Sequence, residues 1–398
     1  MSIAIIIIFI LGYLAIVLEQ PIKINKAASA LITGVLCWTV YIINIPDTHH
    51  VNEQLLENLG DISGILFFLL GAMTIVELID AHNGFDIITQ RIHTLDKRKL
   101  LWLIGFITFF LSAVLDNLTT AIVMVSLVRK LIGEKDTRLM FCGVVVIAAN
   151  AGGAWSPIGD VTTTMLWIGG QVTTVNIIVK TFLASLVNLL VPLIVLSFGM
   201  KGKLAPVQRE VSNTPKRNLI FWTGIVVLLS VPVFKSLTHL PPFMGIMLGL
   251  GILWMIADVE PALRKIDTST LLFFFGILAS VAALEATGIL HNLALLLDKT
   301  IGDERLIVST IGVLSSVVDN VPLVAASTGM YQYPTDHFFW EFLAYCAGTG
   351  GSILIIGSAA GVAAMGIEKI EFFWYLKRVS WLALIGYVAG AVTYLLQN

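Results

Sequence analysis

The sequence predicts an all-α polytopic membrane protein built from two inverted-topology repeats, each with a re-entrant hairpin and a broken transmembrane helix. Of its 398 residues, 57% are hydrophobic and only 13% are charged. Apolar runs long enough to cross a bilayer recur from one end to the other. An Asp-Asn pair lies in the middle of a long apolar stretch in each half, at 116–117 and at 319–320. A central aspartate costs ~2.5–3.5 kcal/mol on insertion scales, so the repeated pair indicates an ion site near a pseudo-symmetry axis.

The apolar runs between helix breakers define the predicted spans. Eight complete spans are expected near residues 3–19, 27–45, 61–82, 175–200, 217–235, 242–258, 267–288 and 372–397. Two further regions, 99–132 and 305–331, each consist of two apolar arms joined at an Asp-Asn pair. Each arm has roughly 13–17 residues, at or below the ~17–20 that a full crossing needs. We therefore expect two re-entrant hairpins whose tips stop near the middle of the membrane.

A helix interrupted by glycine follows each hairpin. The interruptions lie near Gly152-Gly153 in region 141–170 and near Gly350-Gly351 in region 340–367. Backbone carbonyls freed at such a break are tolerated at membrane depth only where protein or a water-filled cavity receives them. The predicted organisation is a first repeat over 1–200, a cytoplasmic linker over 201–216 and a second repeat over 217–398.

Lysine and arginine provide an independent test of this topology. Each half crosses five times if its hairpin makes no net crossing, and an odd number places the second half upside down. With that topology, only four of the 24 basic residues fall on one side, namely Lys180, Lys235, Lys299 and Arg305. The other 20 fall on the side of the linker. The positive-inside rule makes that side the cytoplasm, so both termini are expected outside it.

The hairpin tips and helix breaks supply the candidate ion and proton ligands. Carboxylate, amide, hydroxyl and carbonyl oxygens are what a small hard cation needs in place of its water. Aligning the Gly-Gly pairs sets Asp160 opposite Ser358, so the first half is the more acidic and is expected to carry the main chemistry. The candidate residues are Asp116, Asn117, Asn150, Asp160, Thr162, Thr163, Asp319, Asn320, Ser352 and Ser358. Within this set, Asp116, Asn117 and Asp160 are the expected Na⁺ ligands.

Each candidate also has a purely structural interpretation. Asp116 and Asp319 could cap the second arm of their hairpins, and capping is compatible with ion binding. Asp160 could cap the second half-helix, and the threonines that follow it could bond back to carbonyls four residues earlier. Glu77 and Glu285, late in the third span of each half, could belong to a proton relay or be interfacial charges; the interfacial interpretation is favoured.

The motifs closely resemble those of NhaD-type Na⁺/H⁺ antiporters of the ion transporter superfamily. The resemblance rests on the segments 112–121, 150–164 and 315–322 and covers nearly the full length. It implies an antiporter of the bacterial inner membrane that exchanges Na⁺, and also Li⁺, for H⁺ by alternating access, with a role in pH homeostasis. It also implies a homodimer with a scaffold and a mobile domain, no cofactor, and no partner beyond the lipid bilayer and small cations; a nucleic-acid partner is not expected.

Three other functions remain open on the sequence. The same superfamily contains oxyanion and organic-anion carriers, but no lysine or arginine lies near either tip, and an aspartate there would repel an anion. An intramembrane aspartyl protease could use Asp116 and Asp160, but this leaves the second Asp-Asn pair unexplained. An ion channel is the third alternative; inverted repeats with broken helices favour alternating access over it.

Overall fold

The computed structural model describes residues 2–89, 92, 94–204, 216–317 and 319–398, and these residues form an all-helical protein. The helices are α1 (Ser2–Val17), α2 (Glu19–Ile22), α3 (Lys26–Ile43), α4 (Thr48–Ala81), α5 (Asp86–Thr89), α6 (Lys97–Leu115), α7 (Asn117–Leu131), α8 (Lys135–Gly153), α9 (Val161–Ile168), α10 (Thr174–Gly199), α11 (Arg217–Thr238), α12 (Pro242–Ile256), α13 (Glu260–Leu263), α14 (Thr268–Ala286), α15 (Ile289–Thr300), α16 (Glu304–Leu314), α17 (Asn320–Met330), α18 (Phe338–Gly350), α19 (Ala359–Glu368), α20 (Phe372–Arg378) and α21 (Ser380–Gln397). No strand occurs in the described ranges.

Seven of the described helices are long and apolar enough to cross a membrane, by length and composition. They are α3, α4, α6, α10, α11, α14 and α21. The prediction of an all-α polytopic membrane protein is therefore confirmed. Most of the linker predicted at 201–216 lies outside the described residues.

Several boundaries differ from the prediction, among them both arms of the second helix pair, α16 and α17, which have 11 residues each and are shorter than expected. Helix α4 has 34 residues and begins at Thr48, well before the expected start of the third span at 61, because Asp47 caps it by accepting a hydrogen bond from the His50 amide. The first arm of the first helix pair, α6, has 19 residues and exceeds the expected arm length. The last predicted span is divided at Val379 into α20 and α21. A helix can continue through polar residues that lie outside its apolar run, so hydropathy alone misplaces such ends.

Equivalent contacts join the short helices in both halves. The Ser112 hydroxyl donates to the Ala149 carbonyl over 2.6 Å, and the Ser315 hydroxyl donates to the Ala347 carbonyl over 2.9 Å. Thus α6 lies against α8 in the first half as α16 lies against α18 in the second. The two contacts occupy the same position in the two halves of the chain.

Backbone close approach explains two of the glycines at these contacts. A Cβ on Gly152 would lie 2.1 Å from the Phe109 carbonyl oxygen, and one on Gly350 would lie 1.9 Å from the Gly312 carbonyl oxygen. Backbone oxygens within a helix cannot move aside as a flexible side chain can. Any larger residue would separate the paired helices.

We expect Gly152→Ala to destabilise the protein by about 1–3 kcal/mol or more, the usual range for overpacking. The measurement is thermal unfolding of the purified protein in detergent. Gly60→Ala is the matched control, because this glycine also lies in a helix and a Cβ there meets nothing within 4 Å. The control should be neutral or gain up to ~1 kcal/mol from helix propensity. Equal stability of both variants would contradict the close-packing argument.

Polar contacts gather helix ends into two groups. One group joins the start of α6 to the start of α8 through Lys97 and Glu134 (2.7 Å), and α8 to the end of α19 through Arg138 and Glu368 (2.7 Å). The other joins the residues before α10 to those before α18, where the Thr173 hydroxyl donates to Asp336 over 2.8 Å. The start of α8 therefore belongs to one group and the region before α18 to the other.

Candidate functional site

Asp160 occupies the break between α8 and α9. Its backbone is extended (φ −145°, ψ 144°), and its Oδ1 accepts a hydrogen bond from the Thr162 amide over 3.1 Å, which caps α9. Only 2% of the residue is exposed. The predicted capping role of Asp160 is therefore present, but it uses only one of the two carboxylate oxygens.

The second oxygen of Asp160 accepts hydrogen bonds from the tips of both helix pairs. Its Oδ2 accepts hydrogen bonds from the side-chain amide of Asn117 over 3.0 Å and from that of Asn320 over 3.3 Å. These asparagines begin α7 and α17, one in each half of the chain. One buried carboxylate thus joins the two repeated Asp-Asn motifs, which the sequence alone places about two hundred residues apart.

Asn150 connects this centre to the second broken helix. Its Oδ1 accepts from the Asn117 amide over 3.1 Å. Its Nδ2 donates to the hydroxyls of Ser352 (2.9 Å) and Ser358 (2.8 Å). Asn150 itself is fully buried, and both serines are 1% exposed. We call the six residues Asp160, Asn117, Asn320, Asn150, Ser352 and Ser358 the central cluster.

Three buried hydroxyls beside the cluster have no hydrogen-bond partner within the described chain. They belong to Thr120 in the first turn of α7 and to Thr162 and Thr163 in the first turn of α9, the turns that follow Asn117 and Asp160. A buried polar atom without a partner is costly, and Thr163 does not make the bond to a carbonyl four residues earlier that its structural interpretation requires. Oxygens of this kind suit a small cation that has shed water.

Asp116 acts differently from Asp160. Its Oδ1 accepts from the Thr119 amide over 2.7 Å and its Oδ2 from the Thr119 hydroxyl over 2.8 Å, so the carboxylate caps α7. Its φ of 128° is a conformation that favours glycine, and such strain costs of order 1–3 kcal/mol and clusters at functional sites. The capping interpretation holds for Asp116, and ion binding by it remains a prediction.

Asp319 is the counterpart of Asp116 in the second half. Its Oδ1 accepts from the Val321 amide over 3.2 Å and caps α17. Both tip aspartates thus start the second helix of their pair, while the neighbouring asparagines reach the central cluster.

The two glutamates predicted as possible relay residues make their contacts elsewhere. Glu77 forms an ion pair of 3.0 Å with Lys265, near the end of α4. Glu285 lies near the end of α14 and is exposed, beside Gly329 of α17. Neither makes a described hydrogen bond to the central cluster, so a relay through them remains a prediction.

A small cavity lies beside the first tip. It measures about 50 Å³, and its lining includes Asp116, Asn117 and Thr119 of the tip and residues of α4 and α14, among them Phe68 and Phe274. The sequence interpretation did not include these phenylalanines. The sequence does contain a signal that could have identified them. The third span of each half begins with a similar segment, Asp61 to Phe68 in the first half and Asp267 to Phe274 in the second, and both segments end in two phenylalanines.

A family described as citrate transporter matches residues 3–348. Sodium/proton antiporter 1 of Arabidopsis thaliana is 50% identical over 99% of this chain and 72% of the relative. Sodium/proton antiporter 2 of the same plant is 48% identical over 98% of each chain. The Na(+)/H(+) antiporter NhaD of Vibrio cholerae is 33% identical over 99% of this chain and 91% of the relative.

These matches are with secondary transporters, and they confirm the resemblance that the motifs at the tips and breaks had indicated. The intramembrane-protease alternative finds no counterpart among these relatives. On a match of this length and identity, the chain belongs to the citrate transporter family and, within it, to the NhaD-type Na⁺/H⁺ antiporters.

Proposed function

We propose that this protein exchanges Na⁺, and also Li⁺, for H⁺ by alternating access. The observation that carries the proposal is the convergence of both tips on Asp160, whose Oδ2 accepts from Asn117 and Asn320. A negative charge surrounded by amide and hydroxyl groups can exchange those hydrogen bonds for a bound cation or a proton. The names of the relatives, two plant sodium/proton antiporters and the bacterial NhaD proteins, agree with this chemistry.

The cation would be held by oxygens of the central cluster and its neighbours. Asp160 supplies the charge, Asn117 and Asn150 supply amide oxygens, and Thr162 and Thr163 supply hydroxyls from the same helix start. Asp116 would join by releasing one of its two bonds to Thr119. A protonated carboxylate is a poor ligand for Na⁺, so each ion leaves when the other binds, and this competition alone gives exchange.

An organic-anion carrier is the second candidate, favoured by the description of the matching family. The electrostatics of the centre oppose it. Within the described residues, no lysine or arginine belongs to the central cluster, and Arg129, the basic residue nearest the first tip in sequence, lies 3.7 Å from Glu368 at the far end of α7. An anion entering here would meet Asp116 and Asp160 without a positive partner.

The decisive experiment is proton flux in everted membrane vesicles after addition of Na⁺, Li⁺, K⁺ or Ca²⁺. We expect Na⁺ and Li⁺ to release protons from acid-loaded vesicles, and vesicles that contain the Asp160→Asn variant to give no response. Citrate uptake by the same vesicles tests the alternative. Citrate transport without any cation-induced proton flux would overturn the proposal.

We also propose that the two halves are inverted repeats with re-entrant tips, in a homodimer of the inner membrane. The two groups of helix ends support the inversion. Helix α8 begins in the group that contains Lys97 and Arg138, whereas its counterpart α18 begins in the group that contains Thr173 and Asp336. Equivalent helices of the two halves therefore start at different groups of helix ends. The repeated serine-to-carbonyl contacts support the equivalence of the halves. The proposed repeats span 1–200 and 217–398, with both termini outside.

Labelling of introduced cysteines tests this topology. We expect a membrane-impermeant thiol reagent to modify Ser2→Cys only from outside and Lys201→Cys only from the cytoplasm. The background is favourable, because the native Cys37, Cys142 and Cys346 are all buried. Modification of both introduced cysteines from the same side would rule out the proposed inversion.

A further inference from the structure

The cavity beside the first tip has room for only a few water molecules. Its volume is about 50 Å³, and one water needs roughly 10–15 Å³ when volume is measured this way. The tip side is polar, with Asp116, Asn117 and Thr119. The rest of the lining is mostly apolar and includes one phenylalanine from α4 and one from α14. A cation that reaches the tip through this cavity would contact these rings.

The two phenylalanines occupy the same place in the sequence repeat. Phe68 lies seven residues after Asp61, and Phe274 lies seven residues after Asp267. Both are nearly buried, at 3% and 6% exposure. Each half therefore contributes the same residue, from the same position of its third span, to one cavity.

The neighbouring phenylalanines show that this placement is not a general property of apolar spans. Phe67 is 51% exposed on the outer surface of α4. Phe273 is 1% exposed and packs elsewhere, with the Lys26 ammonium 4.5 Å from its ring centroid. Neither lines the cavity. The repeated Phe-Phe pair thus presents one ring to the cavity in each half and directs the other away.

We propose that Phe68 and Phe274 form an apolar collar that determines which cations reach the first tip. Two rings that leave space for a few waters force an entering ion to shed most of its hydration shell. They also limit the size of the ion that fits beside Asp116 and Asn117. This inference rests on the proposed exchange of Na⁺ for H⁺. It assigns the cation selectivity of that exchange to two residues that bind no ion themselves.

The first test measures access to the cavity and does not depend on transport. Leu118→Cys places a thiol on the cavity lining, and its rate of modification by a charged thiol reagent is measured in membranes. We expect Phe68→Ala or Phe274→Ala to speed this modification by about tenfold or more, because each removes a ring that lines the cavity. Phe273→Ala is the matched control, since it removes a buried ring of α14 that does not line the cavity, and it should leave the rate unchanged.

The second test measures selectivity as the ratio of the K⁺ concentration to the Na⁺ concentration that gives the same small proton flux in everted vesicles. The collar variants should lower this ratio by about tenfold, and Phe67→Ala should keep the wild-type value. If either alanine variant fails to fold, Phe68→Leu and Phe274→Leu should shift both measurements in the same direction by less. Labelling rates and ratios equal to those of Phe273→Ala would overturn the collar. Absence of cation-induced proton flux in the wild type would overturn the exchange instead, while the labelling test would still decide the collar.

Discussion

Asp160→Asn is expected to abolish Na⁺-driven proton flux and leave the protein folded. The variant removes the charge on which both tips converge, since Asp160 Oδ2 accepts from Asn117 and Asn320. Without it, neither a proton nor Na⁺ has a buried anion to bind. The measurement is proton flux in everted vesicles, with the amount of protein in the membrane determined in parallel.

The Asp160→Asn variant should stay as stable as the wild type, because asparagine can replace the hydrogen bonds that aspartate makes at this position. Asparagine is about as good an N-cap as aspartate, so the bond to the Thr162 amide that begins α9 can persist. The amides of Asn117 and Asn320 can rotate to present oxygen to the new donor. Removal of a buried charge also relieves desolvation, so the thermal unfolding temperature should hold or rise.

Asp116→Asn is also expected to abolish Na⁺-driven proton flux. Asp267→Asn is its matched control. Asp267 caps α14 by accepting from the Thr270 amide and hydroxyl, the same pair of bonds that Asp116 makes to Thr119. Asp267 is exposed at the start of its helix. Asp267→Asn should therefore transport normally, which would separate loss of charge at the tip from loss of a cap.

Wild-type flux in either Asp160→Asn or Asp116→Asn would contradict the assignment of that residue to the ion site. Asp319→Asn is expected to have a weaker effect, because the second half has Ser358 where the first has Asp160. Its cap to the Val321 amide survives as asparagine.

The second large effect concerns pH. If one proton competes with Na⁺ for the central carboxylate, half-saturating Na⁺ should rise about tenfold for each unit by which pH falls, wherever that carboxylate is protonated in the empty site. Tenfold corresponds to about 1.4 kcal/mol of Na⁺ binding. Two competing protons, one on Asp160 and one on Asp116, would make the dependence steeper and couple the two titrations.

The slope is measured as half-saturating Na⁺ in proteoliposomes, from about pH 6 to about pH 9. A flat dependence over this range would contradict direct competition and mean that protons travel by another route. Glu77 and Glu285 would then be the first residues to test, although Glu77 is already paired with Lys265. Substitution of Glu285 by glutamine is the cleaner of the two tests, because it breaks no described ion pair.

The sequence by itself determined the helical membrane class and the positions of the helix breaks, and it predicted ten candidate residues, six of which form the central cluster. Hydropathy is a property of each segment, so apolar runs identify helices without knowledge of their neighbours. The predicted break positions agree with the helix ends. Helix α8 ends at Gly153, and helix α18 ends at Gly350, directly before Gly351. The costly Asp-Asn pairs were identifiable because a charge in an apolar run stands out wherever it lies.

Only the tertiary structure decided which contacts each candidate residue makes. It made Asp160 the residue that both tips contact, gave Asp116 and Asp319 capping bonds, and set Asn150 as the bridge to Ser352 and Ser358. It also placed Phe68 and Phe274 in the lining of one cavity. The physical reason is that hydrogen bonds and cavity walls depend on distances of a few ångströms between segments far apart in the chain, and neither spacing nor hydropathy within one segment fixes those distances.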